Sequence, residues 1–199
     1  MEEFFASIQP TLNQNLADEF ALLLDAVAGQ TPYAGAIATA EGLAWRVDLN
    51  TEEALATTID VAGPRYAELN LDLDEAQLRW WPDEWQAVPE DPDTGMRRIA
   101  SPTDETYALV RKYFETLDLD GDGVYEEWLM QASRFLARGL GSDEVRRVWA
   151  GRNVTPFLVV TETDGDAGPA LEAFQELNAS HPDQERYQEG LRYWQEYAG

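Results

Sequence analysis

A short stretch of alternating residues constrains this chain most. Leu43, Trp45, Val47 and Leu49 fall on one face of an extended segment, and Ala44, Arg46 and Asp48 on the other. A period of two is what a strand needs and what a helix cannot use. The preceding run, Tyr33 to Ala40, is small and apolar, and Glu41-Gly42 supplies a turn between the two. The spacing therefore predicts a β-hairpin over 33–49. A second β signal lies far away, over 154–161, where Pro156-Phe157-Leu158-Val159-Val160 forms the clearest strand.

Between and around these strands the apolar period is helical. Leu12, Leu16, Phe20, Leu23, Leu24 and Val27 recur at spacings of three and four, with Asp18 and Glu19 expected on the opposite face. Pro10 reads as the first turn of that helix and Gly29 as its end. Asn50-Thr51-Glu52-Glu53 has the form of a helix cap, Asn50 at the cap and Glu53 reaching back toward the free amides, for a helix that stops at Gly63-Pro64. Gln77 to Trp81 reads as a strand ended by Pro82. A helix-loop-helix is expected over 103–138, a Ser142-capped helix runs to Trp149, and two helices follow, Ala170 to Leu177 and Pro182 to Tyr197. The fold class is α+β: a single domain over 1–199, with a small mixed or antiparallel sheet under about six helices. An apolar fraction of 44% over 199 residues is enough for one core.

Charge limits the function classes. Thirty-eight acids face fourteen bases, for a formal net charge of −24, and Lys112 is the only lysine. Such a surface repels nucleic acid and anionic lipid and attracts cations or a basic protein. There is no cysteine, which removes disulfides, thiolate metal sites and thiol nucleophiles. His181 is the only histidine, so a serine triad has little support and a histidine-rich zinc site cannot be built, and its place before Pro182 predicts a helix-capping or solvent position. No run of about 18 apolar residues is present, and Met1-Glu2-Glu3-Phe4-Phe5 lacks the basic start of a signal peptide. The expected location is cytoplasmic.

The sharpest chemical motif is Asp118-Leu119-Asp120-Gly121-Asp122-Gly123. Asp at positions one, three and five with Gly at six is how an EF-hand loop begins to wrap calcium, and Val124 would offer its carbonyl at seven. The expected bidentate Glu at twelve is Leu129, and Glu127 falls two residues early. The ligand set is Asp118, Asp120, Asp122, Val124 and Glu127, a loop over 118–127 closing short, with an affinity on the order of 10⁻⁴–10⁻³ M. Asp and Gly also form plain turns, so an acidic turn between two helices is the competing reading. A second candidate is Arg79 with Trp80, Trp81 and Trp85, an aromatic pocket with a cation at its edge, set against core packing with Arg79 paired to a carboxylate.

Several segments taken together resemble a known family. Ala34 to Ala40, Ala44 to Leu49 and Asn50-Thr51-Glu52-Glu53-Ala54 are similar to the hairpin and Asn-Thr-Glu-Glu signature of the bacterial domain-of-unknown-function family DUF4303. Arg79-Trp80-Trp81-Pro82-Asp83-Glu84-Trp85 resembles its Arg-Trp-x-Pro-x-Glu-Trp landmark, and Pro156 to Glu162 with Phe174 and Glu176-Leu177-Asn178 resembles its tail. The resemblance covers roughly residues 12–180 and leaves out the calcium-like loop. It implies one α/β domain and supplies no activity and no catalytic residues. Small acidic bacterial domains of this kind are often suspected of being immunity proteins in toxin systems.

Three functions are thus set against one another. The first is a non-enzymatic binding or immunity-type protein with an acidic face for a basic protein partner. The second is a calcium-binding protein, and the third an enzyme working through carboxylates or a bound metal.

Overall fold

The computed structural model describes residues 1–40, 42–68, 75–80, 82, 85, 87–88, 101–119, 123–161 and 168–198. The elements are α1 (Glu2–Ala26), β1 (Pro32–Ala40), β2 (Ala44–Thr51), α2 (Glu52–Glu68), α3 (Glu75–Trp80), α4 (Asp104–Phe114), α5 (Val124–Leu140), α6 (Asp143–Val148), β3 (Thr155–Thr161), α7 (Gly168–Asn178) and α8 (Gln184–Ala198). Among the described residues, none of these helices is long and apolar enough to cross a membrane.

The sheet is mixed, in the order β2-β1-β3. β1 pairs antiparallel with β2, from Ala40 opposite Ala44 back to Pro32 opposite Thr51, and parallel with β3, from Ala34 opposite Thr155 to Ala40 opposite Thr161. Helices cover both faces. Ile37 stands between Val47 and Leu158 in the register and packs with them against Leu12, Leu16 and Phe20 of α1 and Leu136 of α5. Ala36 and Phe157 are register partners on the opposite face, packed with Leu55, Trp80, Phe174 and Trp194. A strand buried on both faces needs apolar residues at every position, which is why β1 does not alternate.

Small residues in the hairpin make room for aromatic neighbours. A Cβ on Gly35 would stand 2.8 Å from the Trp149 indole and 3.1 Å from Phe20. Gly42 has φ +68°, and a Cβ there would lie 2.6 Å from the Cβ of Ala132, so the turn of the hairpin rests directly on α5.

Four expectations are corrected. α1 begins at Glu2, not at Pro10, which lies inside the helix. Proline there forfeits a helix bond, at roughly 3 kcal/mol. Phe5 offsets it: the ring is buried, 4.9 Å from Phe135 and 5.4 Å from Trp128. Glu19 is buried rather than on the polar face. Its Oε2 accepts hydrogen bonds from the Thr103 amide (3.2 Å), the Thr103 hydroxyl (2.6 Å) and Ser101 (3.0 Å), tying the approach to α4 onto α1. α2 continues through Pro64 to Glu68, and its cap is Thr51, whose hydroxyl accepts the Ala54 amide at 3.1 Å. Finally, the segment read as a strand from Gln77 is helix α3. Leu78 and Trp80 are both buried, and over six residues such an i, i+2 pair does not separate the two periods. Trp81 lies outside the described residues.

Other local readings stand. Ser142 caps α6 by accepting the Val145 amide at 3.3 Å. α4 and α5 form the expected helix-loop-helix, and β3 occupies the clearest predicted strand.

Candidate functional site

The two segments singled out by sequence, Asn50 to Glu53 and Arg79 to Trp85, meet around one tyrosine. Tyr33 of β1 is fully buried. Its hydroxyl accepts from Asn50 Nδ2 at 2.9 Å and donates to the Arg79 carbonyl at 2.8 Å, which also accepts from Trp85 Nε1 at 3.2 Å. The Arg79 and Arg186 guanidinium carbons lie 5.1 and 5.5 Å from the Tyr33 ring centroid, so two cations rest on one aromatic ring.

Glu52, at the first turn of α2, joins both arginines. It meets Arg186 at 2.6 Å and Arg79 at 3.2 Å. Arg79 also reaches Glu189 of α8 at 3.2 Å and Glu75 one turn back in α3 at 3.6 Å. Arg186 donates to the Asn153 carbonyl at 3.2 Å, just before β3. The arginine side chains are 16% and 20% exposed and Glu52 34%, so this is a half-buried network, stronger than a surface pair and weaker than a dry one. The neighbouring residues of the same segment complete the tie. Thr51 donates to Gln30 at 2.5 Å, and Glu53 accepts from the amide and hydroxyl of Thr31 at 2.7 and 2.9 Å.

The electrostatics follow from these contacts. Burial works against the charge on Arg79, but Glu52 and Glu189 outweigh it and hold its pKa above the ordinary value. Burial pushes the Tyr33 phenol well above the ordinary tyrosine range, against the pull of Arg79. The Thr31 amide lowers the carboxyl pKa of Glu53. A phenol held protonated is no base. The arrangement clamps α2, α3 and α8 over the end of β1.

The sequence-derived candidates divide accordingly. Arg79 is committed to carboxylates. Trp80 is core, edge-on to Tyr33 (6.3 Å), Phe157 (5.9 Å) and Phe174 (6.1 Å). Trp85 is half-buried, edge-on to Phe157 at 5.5 Å. In the acidic loop, Asp118 and Glu127 are exposed, and Asp120 and Asp122 lie outside the described residues. Gly123 has φ +78°, the left-handed form a tight turn asks of glycine. Val124 is already the first residue of α5, so half of the nominal twelve-residue loop is helix. Among the described residues no group of three or more His, Asp or Glu side chains is gathered to hold a metal. His181 is buried, not solvent-exposed. Its Nδ1 accepts the Asp183 amide at 3.1 Å just before α8, and its Nε2 lies 3.2 Å from the Thr155 hydroxyl.

Tyr33, Glu52, Arg186 and Glu189 were not anticipated as members of one site. Arg186 and Glu52 are 134 residues apart in the chain, and no local pattern links them. No family profile, curated protein or solved structure matches this chain.

Proposed function

We propose that this chain is a non-catalytic binding protein that presents an acidic surface to a basic protein partner. One observation carries the reading. The two arginines around Tyr33 are taken up by Glu52, Glu75 and Glu189, while the chain as a whole carries a surplus of 24 acids over bases. Glu2, Glu105, Glu115, Glu126, Glu172 and Glu196 are all exposed, on five different helices or their ends. Such a field steers a cationic partner and makes association fast and salt-sensitive. An immunity-type role, the partner then being a basic toxin, is one form of this reading. Co-expression with the products of adjacent genes tests it. A basic protein should co-purify at about 50 mM salt and be lost by about 500 mM. Absence of any such partner at low salt overturns the reading.

A second reading, calcium held by Asp118, Asp120, Asp122, Val124 and Glu127, draws on the left-handed Gly123 between two helices. Calorimetric titration to about 5 mM calcium should release heat that Asp118→Ala with Asp120→Ala abolishes. A flat titration of the parent protein removes it.

A further inference from the structure

The acid of this chain is unevenly spread. Between Arg134 and Arg152 five arginines (Arg134, Arg138, Arg146, Arg147 and Arg152) stand against two acids, Asp143 and Glu144, a local cationic surplus in a chain of net charge −24. The stretch makes up the second half of α5, all of α6 and the turn after it. Arg134 and Arg138 lie one turn apart on the exposed face of α5, since Phe135, Leu136, Gly139 and Leu140 take the buried one. α6 starts just beyond, capped by Ser142, and shows Arg146 and Arg147 to solvent. Arg152 turns back onto the Val148 carbonyl at 3.1 Å. Neighbouring elements bring little charge. Leu12 and Leu16 of α1 stand against Gly139, and Gln9 donates to the Phe135 carbonyl at 3.2 Å. α7 brings Glu176, exposed beside the Leu177 that stands against Gly141.

Most of these arginines have no carboxylate. Arg147 meets Glu144 at 3.0 Å. Among the described residues none lies within 4.0 Å of Arg134, Arg138, Arg146 or Arg152, whereas Arg46, Arg79, Arg111 and Arg186 each meet one. The helix dipole accounts for cations in a last turn, where Arg138, Arg146 and Arg147 stand. It does not account for Arg134, in the middle of α5.

We infer that this face docks a second copy of the chain, head to tail, through the acidic surface of that copy. Charge complementarity selects the occupant. A nucleic-acid duplex or an anionic membrane extends past the patch and meets the acidic remainder of the surface, which repels it. A second copy can bring a few carboxylates to the arginines and keep its bulk beyond the screening length, about 8 Å at 0.15 M salt. The two contact surfaces differ, so the association is heterologous and continues as a ring or a chain. Its salt dependence has a maximum. At about 10 mM salt the screening length is about 30 Å, and two molecules of net charge −24 repel as wholes. At about 1 M salt the contact itself is screened.

Sedimentation equilibrium of the full chain, from about 5 to about 500 µM at about 10 mM, 150 mM and 1 M KCl, tests this. Association should be strongest at the middle salt. Replacing Arg134, Arg138 and Arg146 together by Gln should weaken it at least about tenfold, and Arg134→Gln alone, at an exposed mid-helix position, about threefold. Replacing Arg111, Lys112 and Arg192 by Gln removes as many cations from elsewhere and should leave it within about twofold of the parent. A parent that stays monomeric at every salt overturns the inference. So does association that rises steadily with salt, or equal loss in both triple variants. Binding of poly-glutamate or duplex DNA by a monomeric parent would assign the face to a foreign polyanion and overturns it too. The contact uses arginines that the partner reading leaves out, so it stands or falls apart from co-purification.

Discussion

Trp80→Ala is expected to lower unfolding stability by about 3–5 kcal/mol and the melting temperature by roughly 10 °C. The indole is completely buried, edge-on to Tyr33, Phe157 and Phe174. It is the anchor of α3, a six-residue helix too short to persist without packing. Gly190 of α8 leaves space for it: a Cβ at that position would lie 3.1 Å from Trp80 and 2.6 Å from Phe174. Removing the indole therefore opens a void between α3, α8 and the sheet that no neighbour can readily fill. Trp80→Phe separates packing from polarity. The Trp80 Nε1 is buried without a hydrogen-bond partner, so phenylalanine sacrifices volume alone and should cost about 1–2 kcal/mol. Chemical denaturation of the three proteins is the measurement. If Trp80→Ala melts within a degree of the parent, α3 is not packed as described.

Glu52→Ala carries the second large effect, about 2–3 kcal/mol. Two arginines that are mostly buried lose a shared carboxylate, and Arg186 loses the ion pair it makes with α2. Breaking a fully buried pair costs about 3–5 kcal/mol. Glu52 is one-third exposed, and Arg79 retains Glu189 and Glu75, which brings the figure down. Arg186→Met with Glu52→Ala should recover part of the loss, because the double variant no longer leaves the Arg186 charge without its carboxylate. A double-mutant cycle by urea denaturation reads the coupling. Strict additivity of the two single effects would mean that the 2.6 Å contact contributes nothing.

The parts of the fold legible in the sequence were those with a sustained period or a local chemical signal. Leu12 to Leu23, the alternation of Leu43 to Leu49, the Ser142 cap and the β3 run each carry enough residues to fix their type. The misreadings share a cause. Pro10 and Pro64 look like helix boundaries on local grounds, but both lie inside helices, and at Pro10 the buried Phe5 on one side and Leu12 and Leu16 on the other override the local signal. Glu19 looks solvent-facing because nothing near it in the chain announces the Ser101 and Thr103 donors that it meets. The site was half legible. Asn50 to Glu53 and Arg79 to Trp85 stood out as segments, yet their meeting at Tyr33 and the arrival of Arg186 depend on tertiary geometry alone.

The central strand has a consequence for synthesis of the chain. β1 ends at Ala40, but its parallel neighbour β3 ends only at Thr161. At ribosomal rates of about 5–20 residues per second, one edge of β1 waits on the order of ten seconds for its partner. The hairpin with β2 can close early and protects the other edge. During that interval an apolar nascent strand, Tyr33-Ala34-Gly35-Ala36-Ile37, stays half-paired, so the emerging polypeptide is most exposed to misassociation, or to capture by a chaperone, before β3 leaves the ribosome.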